Sequence, residues 1–313
     1  MNIHHLKYII EVDTHRHFAK AAEKCFVTQP TLSMMIQKLE EELGVKIFDR
    51  SKQPVVPTEA GKAIIKQAKI ILHEANKMKI IVDELKGEIK GELKLGIIPT
   101  VAPYLLPLFL NSFLKKYPNL KFKISEFTTE QIIEKLRNHQ LDAGVLATPL
   151  NNEVLKEQPL YYEKFVVYAS SNETLMKKKF LIPNDIDINH LWLLEEGHCL
   201  RTQILNLCEL RKKGLKTSNL EYEAGSIETL KKMVDMNNGI TILPELALNE
   251  LSAKDKKFVR HFKPPVPVRE ISIVTYRHFV KQRLIDVLKE EICNSVPKEM
   301  ISNRRKQITQ IEN

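Results

Sequence analysis

Between residues 58 and 89 the apolar side chains Ile64, Ala68, Ile71, Ala75, Met78, Val82, Leu85 and Ile89 recur at alternating steps of four and three. That spacing is a coiled-coil seam, and Thr58 caps a helix that would run for roughly 50 Å at 1.5 Å per residue. So long a helix with so narrow an apolar face needs a partner, and the simplest one is its twin. The alternative is a seam covered within one chain. Either way the helix, at residues 58–90, divides the sequence into a head at 1–57, a body at 91–298 and a polar, mobile tail at 299–313. Gly87 and Gly91 mark the boundary.

In the head, Phe18 to Lys24 reads as a short helix, Cys25 to Thr28 as a tight turn, and Gln29-Pro30-Thr31 as the start of a second helix. Pro30 suits a first turn, where no amide hydrogen is needed, and Thr28 can cap it. Leu32, Ile36, Leu39 and Leu43 form its apolar stripe and Gly44 stops it. Gln29, Thr31, Ser33, Met34 and Gln37 then fall on or near the other face, polar and mostly uncharged, as suits side chains that read base edges in a major groove. Val45 to Arg50 alternates as a strand, Ser51 to Pro54 turns, and Val55-Val56-Pro57 returns. This makes a hairpin wing with Arg50 and Lys52 where a wing meets phosphates. An ordinary helical hairpin with a solvated face is the competing reading. Charge does not decide between them, because residues 1–57 hold eight Lys and Arg against seven Asp and Glu, although the whole chain carries +9. Two such helices joined by a twinned seam would sit on a pseudo-palindromic site in double-stranded DNA.

The body alternates strands and helices: strands at Glu92 to Ile98, Leu120 to Glu126 and Leu141 to Ala147, helices at Pro103 to Tyr117 and Glu130 to Asn138. This order predicts a mostly parallel sheet with helices on its faces. Phe165 to Ser170, Trp192 to Leu194, Leu220 to Ala224, Ile240 to Leu243 and Ile271 to Tyr276 repeat the theme. Two α/β lobes with a cleft at the strand ends follow. Lobe I takes residues 91–161 and 268–298 and lobe II 162–267, with Pro264-Pro265-Val266-Pro267 as a stiff crossing. Asp142, at the start of a strand, reads as a structural hydrogen-bonder. There is no phosphate loop, dinucleotide fingerprint, His-Glu-x-x-His or nucleophile elbow, and the ten histidines show no ligand spacing. No metal, cofactor or enzymatic turnover is expected. Nor does any run reach the length of a membrane span. Four cysteines in 313 residues are too few for a secreted disulfide framework, so the expectation is a soluble cytoplasmic protein with no membrane partner.

Two of those cysteines share residues 197–208. A thiol attacks only as thiolate, which cationic neighbours favour, and Cys199 has His198 before it and Arg201 two residues after. Cys208 follows Ile204, Leu205 and Leu207 and reads as half-buried. The pattern after Leu200 fits a short helix, in which nine residues span about 13 Å. A disulfide needs Cα atoms within about 7 Å. Pairing the two would therefore oblige the segment to unwind. On spacing alone one core and one surface cysteine without a joint role is the plainer reading, since the interval is neither metal-binding nor thioredoxin-like. Cys25 and Cys293 read as structural.

The head segments FAKAA (18–22), VTQPTLS (27–33), QKLEEELG (37–44), FDR (48–50) and PTEAG (57–61) together resemble the LysR-type transcriptional regulators. The resemblance extends over nearly the whole chain. It implies an α/β protein: an N-terminal winged helix-turn-helix and a long dimerisation helix, then two Rossmann-like α/β lobes resembling a periplasmic binding protein. DNA contacts would come from Gln29, Pro30, Thr31, Ser33, Gln37, Arg50 and Lys52. Homodimers through residues 58–90 would pair into homotetramers, with RNA polymerase as a further partner.

Within that family the segments GHCLRTQ (197–203) with Cys208, IPTVAPYLLP (98–107), ETLKKMV (228–234) and GITILP (239–244) resemble its hydrogen-peroxide sensors. This implies Cys199 as the peroxidatic and Cys208 as the resolving cysteine, with Thr100, Thr129 and His198 around the peroxide. Counting back from Tyr276-Arg277 puts Glu270 at the family's arginine position, and a one-residue shift puts Arg269 there. Such a shift reverses the face of a strand; Arg269 is the residue carried forward. The alternatives are a regulator of the same family that takes a small metabolite in the cleft, and a thiol peroxidase with a DNA-binding appendage.

Overall fold

The structure, a computed structural model, describes residues 1–85, 89–150, 152–208, 224–277, 281–302 and 308–309. The chain forms two compact units, Met1–Gly87 and Glu88–Asn313.

The first unit holds α1 (Ile3–His15), α2 (Phe18–Lys24), α3 (Gln29–Leu43), the strands β1 (Phe48–Asp49) and β2 (Val56–Pro57), and α4 (Glu59–Leu85). Helix α1, which the sequence reading did not include, supplies Leu6, Ile9 and Val12 to a core shared with Leu32, Ile36 and Leu39 of α3. Leu43 is a correction. It lies 40% exposed, because the buried face of α3 passes instead through Glu40. Strands β1 and β2 pair antiparallel, Phe48 opposite Pro57, and make the wing. Thr58 Oγ1 accepts from the Gly61 amide at 2.9 Å and donates to the Lys46 carbonyl at 2.6 Å, which starts α4 against the wing. Gly61 permits that approach, since a side chain there would overlap the Ile47 carbonyl.

The seam of α4 divides. Ile64, Ala68 and Ile71 pack into the core of their own unit along with Ile65, whereas Met78 is 66% and Val82 48% exposed. Its first turns therefore follow the alternative reading, a seam covered within the chain, and the exposed pair keeps the demand for a partner. The predicted continuation over 86–88 lies outside the described residues.

The second unit begins with β3 (Gly91–Ile97), α5 (Ala102–Lys116), β4 (Leu120–Glu126), α6 (Thr129–Arg137), β5 (Ala143–Thr148) and the long β6 (Leu155–Ala169). There follow β7 (Phe180–Leu181), α7 (Cys199–Leu207), α8 (Ile227–Asn237), β8 (Ile240–Pro244), β9 (Val259–Phe262), β10 (Val268–Tyr276), α9 (Gln282–Ser295) and α10 (Lys298–Ile301). The sheet runs β4-β3-β5-β10-β6-β9-β7, with β8 also on β6. Parallel pairing is found for β4-β3-β5 and for β7-β9; the remaining pairs are antiparallel. The mostly parallel expectation thus becomes a mixed sheet, because β10, from late in the chain, inserts between β5 and β6.

β6 is continuous through residues 161 and 162, where the sequence reading divides the lobes, and it carries both β10 and β8 on its length. The expected strand at Trp192 to Leu194 is reduced to isolated bridges, Leu191 with Ile240 and Leu194 with Ala224, and Leu220 to Glu223 lie outside the described residues. Asp142 is structural: it accepts from the Lys94 amide at 2.8 Å and from Lys281 Nζ at 2.9 Å. The tail expected to be mobile is docked in part, with Met300 buried and Ile308 bridged to Val268. Among the described residues no helix is long and apolar enough to cross a membrane, and no cluster of His, Cys, Asp or Glu could hold a metal.

Candidate functional site

In the first unit α3 starts as its sequence dictates. Thr28 Oγ1 accepts from the Thr31 amide at 3.4 Å and Pro30 fills the first turn. Leu32, Ile36 and Leu39 are fully buried, which leaves Gln29, Pro30 and Gln37 exposed and Thr31 and Ser33 half-buried on the outer face. Gln37 Nε2 donates to Glu41 at 2.9 Å. Arg50 folds back onto α3: Nη1 donates to Ser33 Oγ at 3.2 Å, Nη2 to Glu40 at 3.4 Å, and the guanidinium lies 5.1 Å from the Phe18 ring centre. Lys52 stays exposed on the wing, 3.9 Å from Asp49.

Glu40 was missed by the sequence reading. Its buried carboxylate accepts from the Ile47 amide at 2.8 Å and the Phe48 amide at 3.2 Å, and so fixes the wing to α3. The signal was available, because an acid four residues after Ile36 falls on the apolar stripe.

In the second unit the register of β3 against β4 pairs Ile97 with Glu126. Thr100 and Thr129 each lie three residues beyond that pair, at the carboxyl ends of adjacent parallel strands, which is where open α/β sheets bind ligands. Thr128 caps α6 with a capping box to Gln131, and Thr129 is the first helical residue. The Thr129 hydroxyl is buried and has no hydrogen-bond partner among the described residues. A hydroxyl kept from water in that way is a position that a small polar ligand would satisfy.

Thr100 is held from β10. Arg269, fully buried, donates from Nη1 to Thr100 Oγ1 and from Nη2 to the Thr100 carbonyl, both at 3.0 Å. Its Nε donates to Glu163 Oε1 at 2.7 Å, across the β10–β6 pair in which the two residues face each other. Burial pushes the Glu163 carboxyl above the ordinary glutamate range, and the adjacent guanidinium opposes that push. Glu270 points the other way, accepting from Thr148 Oγ1 at 2.6 Å. Of the two residues left open by counting, Arg269 is the one joined to Thr100. Glu163 was missed, although an acid in the run Tyr161 to Val167 is out of place in a strand buried on both faces.

The segment before α7 lies against the start of α6: a Cβ on Gly197 would sit 3.7 Å from the Thr128 methyl. His198, buried, has Nε2 at 3.5 Å from Glu195, and Cys199 opens α7. A helix N-terminus offers unpaired amides and the positive end of its dipole to a negative group. The flanking cation is engaged elsewhere, since Arg201 Nη1 donates to the Leu194 carbonyl at 2.8 Å. Cys208 is the C-cap, and its amide donates to the Ile204 carbonyl at 3.1 Å. Neither cysteine is in a disulfide and both are buried, Cys208 completely, where the sequence reading had it half-buried. The intact helix keeps them about 13 Å apart along its axis. Tyr104 of α5 donates to Glu228 of α8 at 3.1 Å. Burial first, and then Glu228, push that phenol well above its ordinary range and keep it a donor. The geometry brings together Thr100 with Arg269, and the segments that carry Thr129, His198 and Cys199.

Known proteins resemble the chain in both of its units. Residues 3–62 match the family described as bacterial regulatory helix-turn-helix protein, lysR family, and residues 86–293 match the LysR substrate binding domain. A hydrogen peroxide-inducible genes activator of Haemophilus influenzae is 37% identical over 275 residues, 88% of this chain and 90% of that one. The DNA-binding transcriptional dual regulator OxyR of Escherichia coli is 34% identical over 275 residues, 88% and 89% of the two chains. Among solved structures, a full-length OxyR variant from Pseudomonas aeruginosa superposes with a TM-score of 0.75 at 32% identity, covering 95% of this chain and 99% of that one. With both units matched and relatives aligned over most of their length, the chain belongs to the lysR family of bacterial regulatory helix-turn-helix proteins.

Proposed function

We propose that the protein is a transcriptional regulator that responds to hydrogen peroxide through Cys199 and Cys208. One observation carries this reading: two buried cysteines, neither in a disulfide, at opposite ends of one helix, the first at an N-terminus whose preceding Gly197 lies against Thr128, next to Thr129. The relatives' names, a hydrogen peroxide-inducible genes activator and OxyR, support it.

In this account peroxide exchanges hydrogen bonds with Thr100, Thr129 and the backbone at His198, while Arg269 fixes Thr100. The Cys199 thiolate attacks one peroxide oxygen and the O–O bond breaks. The other oxygen leaves as hydroxide and takes a proton to become water, and the sulfur becomes a sulfenic acid. Cys208, deprotonated as α7 unwinds, attacks that sulfur; an S–S bond forms and the departing hydroxide becomes a second water. Two thiols thus reduce one peroxide to two waters.

Gln29, Pro30, Thr31, Ser33 and Gln37 face the major groove and Arg50 and Lys52 the phosphates. Met78 and Val82 meet a twin helix, so that dimers form through residues 58–90 and then pair into tetramers. The lobes, 91–161 with 268–298 and 162–267, transmit the change within the cytoplasm, with RNA polymerase as the downstream partner. Footprinting of the full chain on its operator tests the proposal: peroxide alters the pattern with the unaltered protein and leaves it unchanged with Cys199→Ser. A peroxide response that survives Cys199→Ser overturns it.

A further inference from the structure

The C-terminal segment that reaches the sensing helix has no part in the account above. Thr309 donates its amide to the Val268 carbonyl at 2.9 Å, and Ile308 forms a parallel bridge with Val268. Val268 is fully buried and immediately precedes Arg269, whose side chain holds Thr100. From the other side, Gln203 Nε2 donates to the Thr309 carbonyl at 3.0 Å. Gln203 is completely buried on the inner face of α7, four residues after Cys199 and five before Cys208. Its Oε1 has no partner among the described residues. Two described residues of the tail therefore tie the middle of the cysteine helix to the strand that carries the arginine.

We propose that Ile308–Thr309 is a strap on α7, with Gln203 as the positioning residue through which it restrains the joining of Cys199 to Cys208. The inference rests on the peroxide reading. Attack of Cys199 on peroxide needs no change in α7. Joining the sulfurs requires Cα atoms that the helix keeps about 13 Å apart to come within about 7 Å. Gln203 lies at the middle of the segment that must unwind, and its amide cannot stay on the Thr309 carbonyl while that happens. The strap therefore opposes the second step and leaves the first alone. With half of the amide unsatisfied, the tie is one neutral hydrogen bond deep, strong enough to slow unwinding and weak enough to release.

The test separates the two steps in the full-length reduced protein, in Gln203→Leu and in a chain ended after Ser302. A dimedone-type probe follows the sulfenic acid on Cys199, and non-reducing peptide mass spectrometry follows the disulfide. Sulfenic acid should form at an unchanged rate in all three. The disulfide step should quicken roughly three- to tenfold in each variant, the reach of one hydrogen bond. Combining the variants should add little, because both remove the same contact. An unchanged disulfide step, or equal changes in both steps, overturns the strap. Absence of any sulfenic acid in the unaltered protein overturns the peroxide reading and the strap together, a result distinct from the other two.

Discussion

Glu163 and Arg269 are a fully buried ion pair, and removing either partner alone leaves the other without its counter-charge. Breaking such a pair costs about 3–5 kcal/mol. The two single variants should nonetheless differ in their response to pH. In Arg269→Leu the guanidinium no longer opposes the effect of burial, which already pushes the Glu163 carboxyl up. The folded form then binds a proton more tightly than the unfolded chain and gains stability as pH falls. That gain is complete below the ordinary glutamate range and is lost as pH rises through the raised value, with a slope of up to about 1.4 kcal/mol per pH unit. Between pH 7 and pH 5 the variant should regain stability relative to the unaltered protein, by an amount bounded by that slope. In Glu163→Leu the stranded group is a guanidinium, which cannot discharge itself, so no such recovery should occur. Replacing both residues by leucine removes both charges and should restore much of the loss, short of the cost of leaving Thr100 without its donors, about 1–3 kcal/mol. Urea unfolding of the full chain followed through Trp192 is the assay. It is the sole tryptophan and its Nε1 donates to the Asn238 carbonyl, so the signal reports on the second unit alone. Identical pH profiles for the two single variants would refute the reasoning.

Two further outcomes follow from the same geometry. Glu40→Ala should leave the Ile47 and Phe48 amides unpaired, destabilise the first unit by about 2–4 kcal/mol, and weaken operator binding without altering oxidation of Cys199, as measured by band shift and thiol labelling. Thr129→Val removes a buried hydroxyl that has no partner among the described residues, so it should cost little or no stability while slowing sulfenic acid formation about tenfold; a slower reaction with a large loss of stability would contradict it.

What could be read in advance was whatever periodicity and local chemistry encode. The capped start of α3, its stripe through Leu39, the wing and the strand–helix alternation up to β5 all follow from spacing and turn residues that act over a few positions. The misses share a different cause. Strand β10 lies between β5 and β6 only after the intervening hundred or so residues have folded, and no local pattern announces an insertion from so far along the chain. Glu40, Glu163 and Gln203 are polar residues on buried faces whose partners are 7, 106 and 106 residues away. Sequence shows that such residues are anomalous; only the fold shows what satisfies them. The choice between Arg269 and Glu270 was of the same kind. A one-residue register in a strand is decided by its neighbours, here Glu163 on β6 and Thr148 on β5.

In the proposed mechanism peroxide joins two sulfurs that the reduced fold holds at opposite ends of α7. Reduced full-length protein, treated with one equivalent of hydrogen peroxide and digested without reductant, should yield Cys199 and Cys208 in one linked peptide pair. Cys25 and Cys293 should be recovered unmodified, since burial pushes both thiols up and leaves them slow to react. Recovery of Cys199 and Cys208 as separate thiols, while the operator footprint changes all the same, would contradict the account.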